Sequence, residues 1–166
     1  MAFKEAKIAL SVGVLLGILS NVHSGHPGNA GGGGVSAHLT AAMQKGAYTP
    51  RSWARALLSG TGLPRTACNL AAITAWEAAE GGNWENTATY NPLNTTQPEP
   101  GSSSMNSVNV QAYTSWPEGF TATVTTLDNG NYPGILSALR AGNSAQGVAD
   151  AVAASPWGTG SFSASC

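Results

Sequence analysis

A chain of 166 residues with 42% apolar content is long enough for one ordinary domain plus an appendage. Only 9% of its residues are charged, far below the roughly 25% of a typical soluble domain, and Gly, Ala, Ser, Thr and Asn take their place. Seven Lys+Arg against eight Asp+Glu give a net charge of -1 with no basic run, which argues against nucleic acid as a partner. A polar, nearly uncharged surface suits hydroxyl-rich ligands better than phosphates.

In chain order, the first feature is Ile8–Leu19, an uncharged apolar run of twelve residues preceded by Lys4 and Lys7. It is short for a membrane-spanning helix, which needs about twenty residues. It has the length of the hydrophobic stretch of a secretory signal, with Gly28-Asn29-Ala30 as a small-x-small cleavage site. An apolar N-terminal helix over 1–20, acting as signal or anchor, is therefore expected. Residues 21–48 form a Gly-rich linker with four consecutive glycines, Gly31–Gly34. His23 and His26 make an HxxH with His38 further on, but zinc needs oriented ligands and a supporting shell. They are taken as solvated linker histidines, and no metal or cofactor is expected. Attachment to a virion or membrane assembly would run through residues 1–48.

From Thr49 to Cys166 the punctuation becomes helical. Thr49-Pro50 is an N-cap followed by proline, and Trp53, Leu57 and Leu58 mark one face before Gly60. Pro64 opens a second helix that runs to about Glu80 and ends at Gly81-Gly82. Residues 83–107 are loop, and Val108, Val110 and Ala112 alternate as a short strand. Ser115 to Glu118 has the form of a capping box for a third helix, with Phe120, Val124 and Leu127 on its face. Pro133–Arg140 is a fourth helix closed by Gly142, and Ser144 caps a fifth through about Ala153. The expected fold class is mainly α, a helical domain over 49–166 with a small β element.

The chemistry concentrates on the second helix. At 3.6 residues per turn, Glu77 and Glu80 fall within roughly 80° of Leu70, on the side that also carries Leu63 and Ile73. Carboxylates on a buried stripe are costly unless they open into a cleft. Burial disfavours the charged form and raises the pKa, which keeps a carboxyl protonated near neutral pH and able to donate to a glycosidic oxygen. A charged second glutamate one turn away pushes the same way. The alternative is a pair of solvated helix-end glutamates. Cys68 and Cys166 either form one disulfide, closing a loop of about a hundred residues, or remain a buried thiol and a free terminal one.

Several segments taken together carry a resemblance. They are Trp76-Glu77-Ala78-Ala79-Glu80-Gly81-Gly82, Tyr90-Asn91-Pro92-Leu93-Asn94-Thr95-Thr96, and Tyr113-Thr114-Ser115-Trp116-Pro117-Glu118-Gly119, followed by Thr126-Leu127, Asn129-Gly130, Tyr132 and Ile135-Leu136. This set, over about Ser52 to Gly142, resembles the lysozyme-like glycan hydrolase domains of actinobacteria and their phages, found in tail proteins and secreted wall hydrolases. It is more distantly similar to the bacterial N-acetylglucosaminidases.

The resemblance implies a lysozyme-like α+β fold. It also implies cleavage of the β-1,4 bonds of the peptidoglycan glycan strand, on a phage virion or in the cell envelope. Glu80, directly before the small residue that closes the helix, matches the catalytic acid, with Glu77 as second choice. Tyr113 matches a tyrosine opposite the acid, or is a core aromatic. Asn91 and Asn94 match the turn that floors the cleft, where they bind N-acetyl groups or simply build the turn. Trp84 and Trp116 are candidates for stacking on sugar faces. Glu118 is taken as a helix cap before a catalytic base. No second carboxylate has a matching position, as in single-glutamate mechanisms completed by the substrate acetamide or a water; hydrolysis and lytic transglycosylation both stay open. GxSxG, GxxxxGK[ST], CxxC and HExxH are absent, and residues 49–166 contain no histidine, against cysteine-histidine and zinc amidases. The rival expectations are a non-catalytic peptidoglycan-binding structural protein and a membrane-anchored assembly subunit.

Overall fold

The computed structural model describes residues 48–166, and the expected N-terminal helix, the histidines and the linker up to residue 47 lie outside them. Thr49 opens α1 (Pro50–Gly60) with a reciprocal cap. Its hydroxyl accepts the Ser52 N–H at 3.2 Å, and the Ser52 hydroxyl accepts the Thr49 N–H at 2.9 Å, satisfying two otherwise unpaired donors. Tyr48, grouped by composition with the linker, packs edge-on against Trp116 at 5.1 Å.

The second helix, α2, is Ala67–Glu80 and begins three residues later than Pro64 suggests. A helix starting at Pro64 would have Leu63 as its cap, a side chain with no acceptor. Thr66 has one, and its Oγ1 takes the Asn69 N–H at 3.1 Å. Asn69 in turn donates to the Leu139 and Pro64 carbonyls, each at 2.7 Å, tying the start of α2 to the end of a later helix.

The β element also differs from its alternating pattern. β1 (Ser103–Ser104) pairs antiparallel with β2 (Gln111–Ala112), Ser103 opposite Ala112. Val108 stands outside the strand and is 68% exposed, while polar Gln111 is buried. The Asn106 side-chain oxygen accepts the N–H groups of Val108 and Val110 at 3.2 and 3.1 Å, and Asn109 sits at φ 63°. Asparagine turn chemistry takes the residues that apolar alternation would have put in a strand.

α3 (Trp116–Asp128) follows Ser115, whose side chain makes no capping bond. Pro117 lacks one of the two amide donors that such a cap would serve. Glu118 instead accepts the Thr114 N–H at 2.7 Å and the Thr114 hydroxyl, so the expected capping box is displaced by one residue. These bonds hold the Glu118 carboxyl below the usual carboxylate range. α4 (Pro133–Ala141) ends on Gly142, and α5 (Ala145–Ala153) is capped by the Ser144 hydroxyl, which accepts the Gly147 N–H at 2.9 Å.

Among the described residues the fold is thus mainly helical, five helices with one small two-stranded sheet. α2 packs between α1 and α5, and α4 lies against α5. Trp53, Leu57, Leu58, Ile73, Trp76 and Val148 are central to the core, each 0–1% exposed. Among the described residues no helix is long and apolar enough to cross a membrane.

The chain after α5 returns along α2. Trp157 packs edge-on to Trp76 at 4.7 Å, and Cys166 is bridged to Cys68 across a sequence separation of 98. The twelve residues from Cys68 to Glu80 rise ~18 Å as helix, a distance that seven extended residues from Thr159 to Cys166 span with ~23 Å of reach. The last segment therefore covers α2 from its C-terminal end to its start.

Candidate active site

The site begins where α2 stops. Gly81 takes the left-handed conformation, φ 65°, and its N–H bonds the Glu77 carbonyl at 2.9 Å, an arrangement that favours glycine. Gly82 is required for a different reason. A Cβ there would stand 2.1 Å from the Asn91 carbonyl oxygen and 2.6 Å from that of Pro92. Only a residue without a side chain lets the 90–94 turn cross the helix end, so Glu-Gly-Gly and Asn-Pro-Leu-Asn are two halves of one contact.

Asn94, at φ 50°, closes that contact. Its amide donates to the Glu80 carbonyl at 2.7 Å and to the Glu80 carboxyl Oε2 at 3.2 Å. Its own oxygen accepts the Asn86 amide at 3.3 Å. On the other side, the Thr159 hydroxyl donates to Glu80 Oε1, and the Trp76 indole donates to the Thr159 oxygen at 3.0 Å. Glu80 is only partly buried, yet burial raises its pKa, and the bonds from Thr159, Asn94 and Trp76 oppose the rise. A carboxyl clamped on both oxygens and drawn toward its neutral form can deliver a proton in a fixed direction.

Glu77 lies elsewhere. It is 0% exposed, so it opens into no cleft, against the expectation for the pair. The Trp84 indole donates to its Oε2 at 3.1 Å, and its Oε1 has no partner among the described residues. Burial pushes its pKa up to about 9, only partly opposed by Trp84. It is therefore neutral at pH 7 and does not raise the pKa of Glu80 by charge; burial does that.

Glu77 makes the stability of the domain depend on pH. Its folded pKa lies above the ordinary carboxylate value near 4.5, so the unfolded chain releases the proton first as pH rises. The stability contributed by the neutral form is complete below about 4.5 and is lost progressively up to about 9. Glu77→Gln keeps the shape and removes the proton, so the unfolding free energy should become flatter across that window. At pH 8 the variant should exceed the wild type by a few kcal/mol. Parallel slopes in denaturant melts at pH 5, 6.5 and 8 would contradict this.

The other expected site residues divide. Asn91 is 0% exposed and fully bonded: its amide donates to the Thr95 and Gln111 carbonyls at 2.9 and 2.7 Å, and its oxygen accepts the Thr95 N–H at 2.8 Å. It builds the floor and has nothing left for an N-acetyl group, which corrects the binding role. Tyr113 is 3% exposed, and its hydroxyl donates to the Gln97 carbonyl at 2.7 Å, leaving it to accept from Thr95 at 2.7 Å. Burial pushes its pKa up to about 12. Tyr113 is thus a neutral strut for the 95–97 loop, with no proton free for a reacting centre, which corrects its catalytic assignment.

Trp116 sits among Tyr48, Tyr90 and Trp84, with ring centres at 5.1, 5.2 and 5.5 Å. Trp84 and Trp116 are half-buried, and each covers part of the other. Beside Asn94, a cavity of about 170 Å³ opens between the 86–94 turn and the hairpin, lined by Asn86, Thr87, Met105, Asn106 and Val110. Among the described residues no cluster of His, Cys, Asp and Glu could hold a metal ion.

Thr159 and Trp157 escape the sequence pattern. Trp157 donates to the Leu93 carbonyl at 2.9 Å and packs on Trp76 and Tyr132. The Cys68–Cys166 pairing was the signal that would have laid this segment on α2. No protein-family model, no curated protein and no solved structure matches the chain.

Proposed function

We propose that residues 48–166 form a lysozyme-like glycan hydrolase that cleaves β-1,4 bonds of the peptidoglycan strand, with Glu80 as its general acid. The observation that carries this reading is the Glu80 carboxyl itself. It ends a buried helix, is raised in pKa by burial, and is held by Thr159 and Asn94 at the edge of a polar loop. The adjoining cavity fits the substrate class. Asn86 and Asn106 line it with amides, while Met105 and Val110 offer apolar surface, the pair of contacts an acetamido sugar needs. Trp84 and Trp116 remain the candidates for stacking on a sugar face.

The reaction starts with proton transfer from Glu80 to the glycosidic oxygen. Glu77 is protonated inside the core and Glu118 is bonded to Thr114, so neither supplies a second carboxylate. The positive centre left on the sugar is then met by the substrate's own acetamide oxygen or by a water. The setting we propose is a phage virion or the bacterial envelope, and a disulfide between Cys68 and Cys166 suits such an oxidising environment.

Digestion of purified cell wall, followed by mass analysis of the fragments, tests the reading. Muropeptides with newly exposed reducing ends are expected. Fragments lighter by one water would identify transglycosylation by the same acid. Wall that is bound but not cut would replace the hydrolase with a peptidoglycan-binding structural protein.

A further inference from the structure

The segment after α5 supplies a group that acts on the acid. Thr159 stands between two glycines, Gly158 at φ 92° and Gly160 at φ 81°. Both angles lie where L side chains rarely go, and the two turns bring one hydroxyl to the end of α2. That hydroxyl has a single proton. The Trp76 indole, which can only donate, fills an oxygen lone pair at 3.0 Å, and the proton goes to Glu80 Oε1. Oε1 is thereby held as an acceptor. Oε2 accepts only the longer bond from the Asn94 amide, 3.2 Å, and so is the oxygen better able to carry an acidic proton.

We propose that Thr159 is a positioning residue for Glu80: oriented by Trp76, its hydroxyl fixes Oε1 as the acceptor and directs the acid's proton to Oε2, on the side of Asn94. The proposal rests on Glu80 being the acid of the proposed hydrolase, although the bond itself can be measured without substrate. Few charges complicate the measurement. The 86–98 loop and residues 154–165 carry no charged side chain. On α2, Glu77 is neutral, and Asp150 of α5 is bonded to Gln146 at 2.8 Å. Glu85 is the nearby carboxylate, 3.5 Å from where a Cβ on Gly81 would stand, and the terminal carboxylate belongs to Cys166, bridged to the opposite end of α2.

The test uses the full chain. Thr159→Val keeps the volume and removes the hydroxyl, and Thr159→Ser keeps the hydroxyl and removes the methyl. The Glu80 carboxyl is titrated by carbon NMR, and kcat and KM on purified wall are followed across pH. One lost hydrogen bond to the charged form should move the Glu80 midpoint upward by about half to one pH unit in Thr159→Val. The alkaline limb of kcat should move with it and kcat should fall by about tenfold, with KM unchanged. Thr159→Ser should restore both.

An unmoved midpoint in Thr159→Val overturns the proposal. So does a Thr159→Ser variant that behaves like valine, since the methyl would then be what matters. Should the valine variant fail to fold, Trp76→Phe removes the indole donor and keeps a ring; a moved midpoint there supports the relay, and an unmoved one overturns it. A wild type that cuts no wall, yet whose Glu80 midpoint responds to Thr159→Val, overturns the hydrolase reading and leaves the positioning bond standing.

Discussion

Glu80→Gln will abolish cell-wall cleavage, lowering turnover by about 10²–10⁴-fold, the usual worth of a positioned acid, while wall binding and the fold persist. Glutamine has the same shape and accepts the Thr159 hydroxyl through its oxygen. The Asn94 amide still donates to the backbone carbonyl of residue 80, the shorter of its two bonds there, at 2.7 Å against 3.2 Å. The transferable proton is what disappears. Glu80 is only partly buried and pairs with no cation among the described residues, so the melting temperature should move by a few degrees at most, within about 1 kcal/mol.

Glu77→Gln is the control, and its expected behaviour is specific. Because Glu77 is already neutral at working pH, with a pKa near 9, its loss should leave the pH optimum of cleavage in place and change stability instead. A variant lacking Glu80 that stays fully active, beside a dead Glu77→Gln, would exchange the two roles. Activity that survives both substitutions would end the lysozyme reading in favour of a binding module.

The sequence made part of this legible because some residues act locally. Thr49 caps α1 through Ser52, and Gly81 and Gly142 end their helices at φ 65°, each a rule of neighbours in sequence. The placement of Glu80 beside the Asn94 turn came only from the resemblance, which set Asn91 and Asn94 at the floor of the cleft; the close approach of that turn to Gly82 is a matter of packing. The environment of Glu77 was not legible. Whether a carboxyl at that position opens to solvent depends on Trp84, seven residues away, closing over it. Val108 and Val110 misled because an asparagine turn competes with alternation and wins through two side-chain bonds, while Ala112 does lie in β2. Thr159 was beyond reach because its partner is 79 residues distant, and only the bridge could have joined the two regions.

That bridge carries the second large prediction. Replacing Cys68 and Cys166 with serine should lower stability by about 4–5 kcal/mol on chain-entropy grounds, since the closed loop spans 98 residues. A domain of this size has roughly 5–15 kcal/mol in total, so the variant should be marginal, with a melting temperature lower by on the order of 15 °C. The loss should also have a location. The Ala164 N–H bonds Gln146 at 3.1 Å and Trp157 bonds the Leu93 carbonyl at 2.9 Å; without the covalent link these bonds and those of Thr159 to Glu80 and Trp76 are among the anchors that remain. Amide exchange should therefore rise first near Ala164 and later near Trp157, while α1 and α4 stay protected. Cleavage should weaken before the domain melts, because Thr159 leaves Glu80 as the segment lifts. A melting shift of only a degree or two, with Ala164 still protected, would mean that the non-covalent contacts hold the segment by themselves and that the bridge is incidental to the site.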